Sequence, residues 1–244
     1  PLEGVLHVCD LAGDVEQLYR EGLRRGVSTG WLSLDAHYTV RPGELTIVTG
    51  IPSHGKSQFL DALIVNLARE HDWSIGICSP ENLPVARHIA KLIEQYTGFP
   101  FREGPSQRLP REGLVPALEW LHQHVVFVAP DEALTIPALL DTAKQLVTRH
   151  GIRGFILDPW NEFDHTRPSG HTETEYISTS LGQIRRFARN HGVHVWLVAH
   201  PQKLYRREDG SYPVPTPYDI SGSAHWRNKA DNCLTVWRDE LEPG

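Results

Sequence analysis

The chain has 244 residues, of which 40% are hydrophobic, so it is long enough to bury the core of one substantial α/β domain with a short extra segment. Its three cysteines, Cys9, Cys78 and Cys233, form no C-x-x-C pair, which disfavours a disulfide framework or a zinc site and fits a reducing compartment. The net charge of -6 at pH 7 does not by itself indicate a nucleic-acid-binding protein, because nonspecific affinity depends on cationic contacts with phosphates.

No apolar run approaches the ~20 residues needed to cross a bilayer, and no signal-peptide pattern opens the chain. We therefore expect no membrane partner and a cytoplasmic location, in a bacterium or a phage-infected cell, in preference to the mitochondrial matrix. The chain begins at Pro1, contains no Met and stops soon after an apparent strand, so we expect that sequence is missing at both ends.

Residues 14–25 form the first predicted element, a short amphipathic helix. A glycine-containing segment follows this helix, so residues 1–28 are predicted to form an arm or linker before a main domain at residues 29–244. The pattern favours two roles for the arm equally: packing on its own domain, or docking on a neighbouring subunit.

An apolar strand then runs into G-x-x-x-x-G-K-S and a helical pattern, which is the layout of a phosphate-binding loop. Gly50 and Gly55 allow the backbone to curl around an anion, so that N–H groups and the helix N-terminus point at phosphates. Lys56 is predicted to reach the β- and γ-phosphates, and the Ser57 hydroxyl to bind Mg²⁺. The flanking strand and helix disfavour the alternative, a chance glycine turn before Lys-Ser. The predicted nucleotide-binding residues of this loop are Gly50, Ile51, Pro52, Ser53, His54, Gly55, Lys56, Ser57 and Gln58.

Strands and helices alternate along the rest of the chain. Strands are predicted at residues 45–49, 73–79, 125–129, 154–158, 193–199 and 233–237, and helices at 57–70, 84–96, 114–122, 136–149 and 173–190. Strands separated by helices of this length indicate βαβ units, and therefore an α/β fold with a mostly parallel, twisted sheet flanked by helices on both faces.

Three further strand ends carry polar groups, and ligands of such sheets bind at the carboxyl ends of the strands. Glu81 follows one strand and could act as the base that orients an attacking water, although helix capping is an alternative role. Asp158 ends the apolar run Gly-Phe-Ile-Leu-Asp, which is typical of a Walker B strand whose carboxylate holds Mg²⁺. His200 ends another strand and could sense the γ-phosphate, although a lone histidine at such a position is more often structural.

Several motifs together carry a resemblance to a known family. They are the phosphate loop, Ser-Pro-Glu81, Ile-Leu-Asp158-Pro, Val-Ala-His200-Pro-Gln-Lys, and the stretch Asp219-Ile-Ser-Gly-Ser-Ala-His-Trp-Arg-Asn-Lys-Ala-Asp-Asn. In this order they resemble the RecA-like helicase domain of the DnaB-type ring helicases, especially the Twinkle-like primase-helicases of phages, bacteria and mitochondria. The resemblance implies that residues 29–244 are a RecA-like P-loop NTPase domain that is incomplete at its C-terminus.

The resemblance also assigns roles to the residues found above. It implies that Lys56 and Ser57 bind the phosphates and Mg²⁺, and that Asp158 organises the Mg²⁺. Glu81 would be the catalytic base, and His200 would sense the γ-phosphate and couple the nucleotide state to DNA.

Other implied roles lie later in the chain. Arg238 falls where the family places an arginine beside the nucleotide base, and guanidinium stacking gives this position a physical reason. Lys203, Arg206 and Arg207 fall in the predicted loop at residues 200–219, which in the family faces the central channel and binds DNA. The arginine finger that the family receives from the adjacent subunit lies beyond the end of this chain.

Basic residues are unevenly distributed, with six Lys or Arg and no Asp or Glu between Tyr176 and Arg207. Arg185, Arg186 and Arg189 have the spacing of a solvated helix face, which we favour for them over a DNA contact. The three cations of the loop are stronger candidates, because a few such residues repeated around a ring can make a positive channel inside an acidic particle.

The function implied is that of an ATP-dependent replicative DNA helicase that uses ATP or another NTP together with Mg²⁺. Six or seven subunits would form a ring that moves 5′ to 3′ along single-stranded DNA and expels the complementary strand. A primase region in the same full-length chain is a further implied partner. Two alternatives are a RecA-like recombinase or DNA-stimulated ATPase that does not unwind DNA, and a signalling, clock-type P-loop ATPase that uses no DNA.

Overall fold

The computed structural model describes residues 5–22, 25–132, 134–167, 169–207, 211–222 and 224–238. Contacts within the chain divide it into two compact units, residues 1–41 and 42–244. The boundary that the sequence suggests at residue 28 stays a prediction. Within the described residues, no helix is both long enough and apolar enough to cross a membrane.

The first unit contains helix α1 (Ala12–Glu21) and the short helix α2 (Leu32–Asp35). No residue of α1 is buried. This helix ends before the predicted residue 25, because Gly22 has a φ of 75° that takes the backbone out of the helical region. Residues 23 and 24 of the predicted helix lie outside the described residues.

The second unit is built on a six-stranded sheet in which every pair of neighbouring strands is parallel. The strands are β1 (Leu45–Thr49), β2 (Ile75–Cys78), β3 (Val125–Phe127), β4 (Gly154–Leu157), β5 (His194–Val198) and β6 (Asn232–Thr235). All positions of β1, β2, β4 and β5 are buried, as expected for a parallel sheet covered on both faces. The predicted fold class and the predicted strands are confirmed.

Helices connect these strands and cover the sheet. They are α3 (Lys56–His71), α4 (Val85–Thr97), α5 (Arg111–His124), α6 (Ile136–His150), α7 (Glu173–His191) and α8 (His225–Lys229). The predicted helices correspond to α3 to α7, whereas α8 was not predicted because its five residues are too few for a periodic pattern. Leu45 and Ile47 of β1 belong to one core cluster with side chains of α6 and α7. The alternate residues Thr46 and Val48 are also buried and face the other side of the sheet.

The strand order is β3-β2-β4-β5-β1-β6, so β5 lies between β1 and β4. Because all six strands run in the same direction, their carboxyl ends lie at one edge of the sheet. This edge receives the phosphate loop after β1, Glu81 after β2, Asp158 after β4, His200 after β5 and Arg238 after β6. Five segments far apart in the chain thus meet at a single edge.

An ionic cluster lies at the opposite edge, where β1 and β6 begin. Asp231 accepts hydrogen bonds from the Leu45 N–H at 3.0 Å and from the Arg185 guanidinium, and Arg189 approaches it to 3.5 Å. Burial raises the pKa of Asp231, but the hydrogen bonds from Arg185 and Leu45 and the two positive charges outweigh burial and lower it overall. Arg186 and Arg189 are exposed, as predicted for a solvated helix face, but Arg185 and Arg189 also pair with Asp231, which the sequence interpretation did not predict.

We expect Asp231→Ala to lower the free energy of unfolding by about 2 kcal/mol at pH 7, because it leaves the half-buried Arg185 and the Leu45 N–H without their acceptor. Since the folded-state pKa is lowered, this stabilisation is present above the ordinary aspartate pKa of 3.8 and is lost as the pH falls through the folded-state value. Urea unfolding at pH 7 and again below pH 3.8 measures both effects. Asp141→Ala is the control, because Asp141 pairs with Lys144 on an exposed surface, where ion pairs contribute about 0.5 kcal/mol or less.

Candidate active site

The phosphate loop turns sharply between β1 and α3. Gly50 and Gly55 have φ values of 152° and 92°, and Ser53 adopts a left-handed conformation with φ of 66°. A Cβ atom on Gly50 would lie 2.2 Å from the carbonyl oxygen of Val236, so this position has no room for a side chain. The loop therefore has the close backbone approach and unusual φ angles that an anion cradle needs.

Lys56 begins α3 with its ammonium group directed back at the loop. Its Nζ atom donates hydrogen bonds to the carbonyl oxygens of Gly50 at 2.8 Å and Ile51 at 3.0 Å, and the residue is buried. Burial lowers the pKa of Lys56, while the charges of Asp158 and Glu81 act in the opposite direction. The arrangement holds a positive charge at the mouth of the loop, where the β- and γ-phosphates of a nucleotide are expected.

Ser57 and Asp158 meet although they are far apart in the chain. The Ser57 hydroxyl donates to Asp158 Oδ2 at 2.8 Å, and the Ser79 hydroxyl approaches the same oxygen at 3.3 Å. Burial raises the pKa of Asp158, and the hydrogen bonds from Ser57 and Ser79 oppose that rise. Hydroxyl and carboxylate oxygens are the ligands that Mg²⁺ prefers, so this pair fits a magnesium site beside the phosphate loop.

Ser79 and Asn82 are site residues that the sequence interpretation missed. The Asn82 side-chain amide donates to Ser79 Oγ at 2.8 Å, and Lys91 Nζ donates to Asn82 Oδ1 at 2.9 Å. These contacts connect Asp158 to the 3-10 helix at Pro80–Asn82 that contains Glu81. Ser79 could have been found because it directly follows β2, but nothing in the sequence distinguishes Asn82 from any other polar residue after a strand.

Glu81 and His200 face each other across the ends of β2 and β5. The His200 Nε2 and Glu81 Oε1 atoms are 3.7 Å apart, and the Glu81 side chain is 45% exposed, so water can reach its carboxylate. Partial burial raises the pKa of Glu81, the nearby Glu162 raises it further, and Lys56 opposes both. Burial and the charge of Lys56 lower the pKa of His200, which favours the neutral imidazole near pH 7.

Glu162 gives this site a testable pH dependence. We expect Glu162→Gln to lower the pKa of Glu81, and thereby to move the acid limb of the pH profile of kcat to lower pH, because a negative charge that disfavours ionisation is removed. Steady-state ATPase rates across a pH series measure this shift. The shift should shrink at about 1 M salt, since Glu162 is exposed and exposed charges are screened. An acid limb that stays in place, or moves to higher pH, would contradict the assignment of Glu81 as the base.

Arg238 lies beside the loop on the other side of β1. Its backbone N–H donates to His54 Nδ1 at 3.0 Å. A cavity of about 360 Å³ opens here, lined by Ser53, His54, Gly55, Gln58, Phe59, Ala62, Gln95 and Arg238. Residues of the phosphate loop and Arg238 therefore line one cavity next to the expected phosphate position. The ribose and base of a bound nucleotide would need a cavity at this place. Gln95 had not been predicted, since nothing in the sequence of α4 distinguishes it.

The predicted DNA-binding residues lie on the segment that leaves the site at His200. Lys203, Arg206 and Arg207 are exposed. The Arg206 guanidinium lies over the Tyr212 ring, 4.8 Å from its centroid. One continuous segment therefore carries two groups of predicted site residues. His200 lies at the carboxyl edge of the sheet beside the phosphate loop, and the three cations follow it in the chain.

Known proteins share this architecture. The family model of the DnaB-like helicase C terminal domain matches residues 26–243. A Twinkle homolog protein, chloroplastic/mitochondrial, from Arabidopsis thaliana is 42% identical over 250 residues, which cover 99% of this chain and 35% of that protein. The chain thus spans about a third of the length of this curated relative.

Solved structures agree on the fold. One solved ATPase domain superposes with a TM-score of 0.75 at 18% identity, covering 96% of this chain and 84% of that chain. A DnaB-like replicative helicase, solved in a study of its interactions with primase, superposes with a TM-score of 0.73 at 18% identity and covers 98% of this chain and 59% of that chain. With the sheet order, the phosphate loop and the family match together, the chain belongs to the DnaB-like helicase C-terminal domain family.

Proposed function

We propose that this chain is the ATP-driven motor of a replicative DNA helicase, which moves 5′ to 3′ along single-stranded DNA and separates the duplex ahead of it. One observation carries the proposal. The phosphate loop, two carboxylates and His200 converge at one edge of the sheet, and the basic loop leaves that edge directly after His200. This arrangement joins a site for triphosphate hydrolysis to a segment suited to a polyanion.

The nucleotide would bind across the phosphate loop. The Lys56 ammonium would bind the phosphates, and the cavity between His54, Gln58 and Arg238 would receive the ribose and base. Ser57 and Asp158 would hold Mg²⁺, which when bound offsets the negative charge of the phosphates.

Glu81 would direct the chemical step. Its carboxylate would accept a proton from water as the water oxygen bonds to the γ-phosphorus and the bond to the β,γ-bridging oxygen breaks, leaving ADP and phosphate. Lys56 would stabilise negative charge that develops on the phosphates. His200, 3.7 Å from Glu81, would move with the occupancy of the γ-phosphate position and pass that change to the loop after it.

Assembly into a ring of six or seven subunits completes the proposal. Val15, Leu18 and Tyr19 of α1 are 57%, 47% and 89% exposed, which supports a contact between the arm and a neighbouring subunit. A solved relative is described with its interactions with primase, and we propose a primase region as the further partner of the full-length protein. The cytoplasmic location stays a prediction, because the Arabidopsis relative is described as chloroplastic/mitochondrial.

Two measurements test the function. ATP turnover by the full-length protein should rise when single-stranded DNA is added, and a forked duplex with a free 5′ tail should be unwound. Turnover that ignores DNA would favour the signalling ATPase over the helicase. Stimulation by DNA without unwinding would favour the recombinase-like alternative.

A further inference from the structure

An exposed aromatic side chain lies among the cations of the basic loop. Tyr205 is 79% exposed and stands two residues after Lys203 and directly before Arg206 and Arg207. A tyrosine ring left in solvent at this level exposes apolar surface with no evident use in folding. A DNA-binding role for Tyr205 rests on the proposed function, because this residue belongs to the proposed DNA loop.

The loop around Tyr205 is held in place at several points. Pro201 and Ile220 form an antiparallel bridge at its base, and the Arg207 N–H donates to the Ser211 carbonyl oxygen at 2.8 Å. The Thr235 hydroxyl of β6 donates to the carbonyl oxygen of Pro215 at 3.0 Å. Leu204 is half-buried, whereas its neighbours Lys203 and Tyr205 are exposed. The backbone therefore presents Tyr205 outward from an anchored position.

Tyr212, one of the other tyrosines of the loop, has a different role. Tyr212 is half-buried, and the Arg206 guanidinium lies over its ring. This cation–π contact stabilises the loop, and it engages the positive charge of Arg206 within the protein. Tyr205 and Tyr218 are the tyrosines of the loop that are exposed, at 79% and 64%, and of these two only Tyr205 directly adjoins Arg206 and Arg207 in the sequence.

The small positive charge of the loop suggests that DNA binding would also use a contact that does not depend on charge. Lys203, Arg206 and Arg207 are followed in the sequence by Glu208 and Asp209, so this stretch of sequence has three positive and two negative charges in a chain of net charge -6. A grip on DNA through phosphates alone would be weak with so small an excess of positive charge. Stacking of a base on an aromatic ring adds affinity without charge and without sequence preference.

We propose that Tyr205 stacks on an unpaired base of the bound DNA strand, while the neighbouring cations contact its phosphates. Single-strand-binding proteins combine these two kinds of contact, and every base offers a π face to a tyrosine ring. Because duplex DNA keeps its bases stacked on each other, such a contact selects a single strand over a duplex.

The test compares Tyr205→Leu, Tyr205→Phe and Lys203→Ala in the full-length protein, with fluorescence anisotropy of labelled oligo(dT) at several salt concentrations. Tyr205→Leu should bind about 10-fold more weakly at every salt concentration, with an unchanged dependence on salt, whereas Tyr205→Phe should bind like the wild type. Lys203→Ala should instead reduce the slope of log K against log salt by about 0.7 for each lost phosphate contact. Thermal unfolding of each variant checks that the fold is intact.

An abasic strand of the same length provides the decisive control. Tyr205→Leu should bind it as well as the wild type does, because no base is present to stack. Equal losses on the abasic strand and on oligo(dT), or no loss on either, would overturn the stacking role while leaving the helicase proposal standing. Failure of the wild-type protein to bind any single strand would instead overturn the proposed function itself.

Discussion

A Glu81→Gln variant is expected to hydrolyse ATP about 10²- to 10⁴-fold more slowly than the wild-type protein, because an amide cannot accept the proton of the attacking water. Glu81 is suited to this role by its position after β2, by its side chain that is 45% exposed to water, and by a raised pKa that makes its carboxylate a stronger base. Binding of nucleotide should be retained, since Lys56 and the loop are untouched. Steady-state turnover and titration with a fluorescent nucleotide measure the two properties separately.

Glu112→Gln is the matched control for this prediction. Glu112 is an exposed residue in the first turn of α5, and the same change of charge there should leave turnover unchanged. If Glu81→Gln kept near-normal turnover, or lost nucleotide binding in parallel with turnover, Glu81 would be a structural or binding group and not the base.

Lys56→Ala is expected to weaken nucleotide binding by about 3 kcal/mol, or roughly 100-fold, because it removes a buried positive charge aimed at the expected phosphate position. In the wild type the Nζ atom lies 2.8 Å from the Gly50 oxygen and 3.0 Å from the Ile51 oxygen, so the charge is already fixed at the loop. Isothermal titration with a nonhydrolysable ATP analogue and Mg²⁺ gives the affinity directly.

Lys144→Ala serves as the control for Lys56→Ala. Lys144 is half-exposed on α6 and pairs with the exposed Asp141, so its loss should not change nucleotide affinity. A Lys56→Ala variant that bound the analogue as tightly as the wild type would contradict the placement of the phosphates. Binding of oligo(dT) by the nucleotide-free variant should be retained, because the proposed DNA-binding residues Lys203, Arg206 and Arg207 are unchanged.

The sequence predicted some of the site residues that follow the strands and missed others. Glu81, Asp158 and His200 were predicted because each comes at the end of an apolar run or within three residues of it, and a run of this kind is visible in the sequence without knowledge of the neighbouring strands. Ser79 directly follows β2 as well, but its approach to Asp158 depends on β2 and β4 being adjacent. Glu162 acts on the pKa of Glu81 only because the turn after β4 brings it near the turn after β2.

Charged side chains show a similar division. Arg185 and the cations of the loop occur in one stretch that lacks Asp and Glu, but the helical spacing of Arg185, Arg186 and Arg189 favours a solvated helix face for them over a DNA contact. The fold separates them, because α7 carries Arg185 to Asp231 at the amino edge while the loop leaves from the carboxyl edge. The helical spacing therefore distinguishes Arg185 from the loop cations, but only the fold identifies Asp231 as the partner of Arg185.

The sequence by itself determined the phosphate loop, the alternation of strands and helices, and the family, because these depend on patterns within a few residues of each other or on motifs in a fixed order. Tertiary structure alone decided the strand order that places β5 between β1 and β4 and β6 beside β1. That order in turn decided the contact of Ser57 with Asp158 and the bond from Arg238 to His54. Such contacts join residues whose separation in the chain carries no periodic signal, so only the packing of helices on one parallel sheet brings them together.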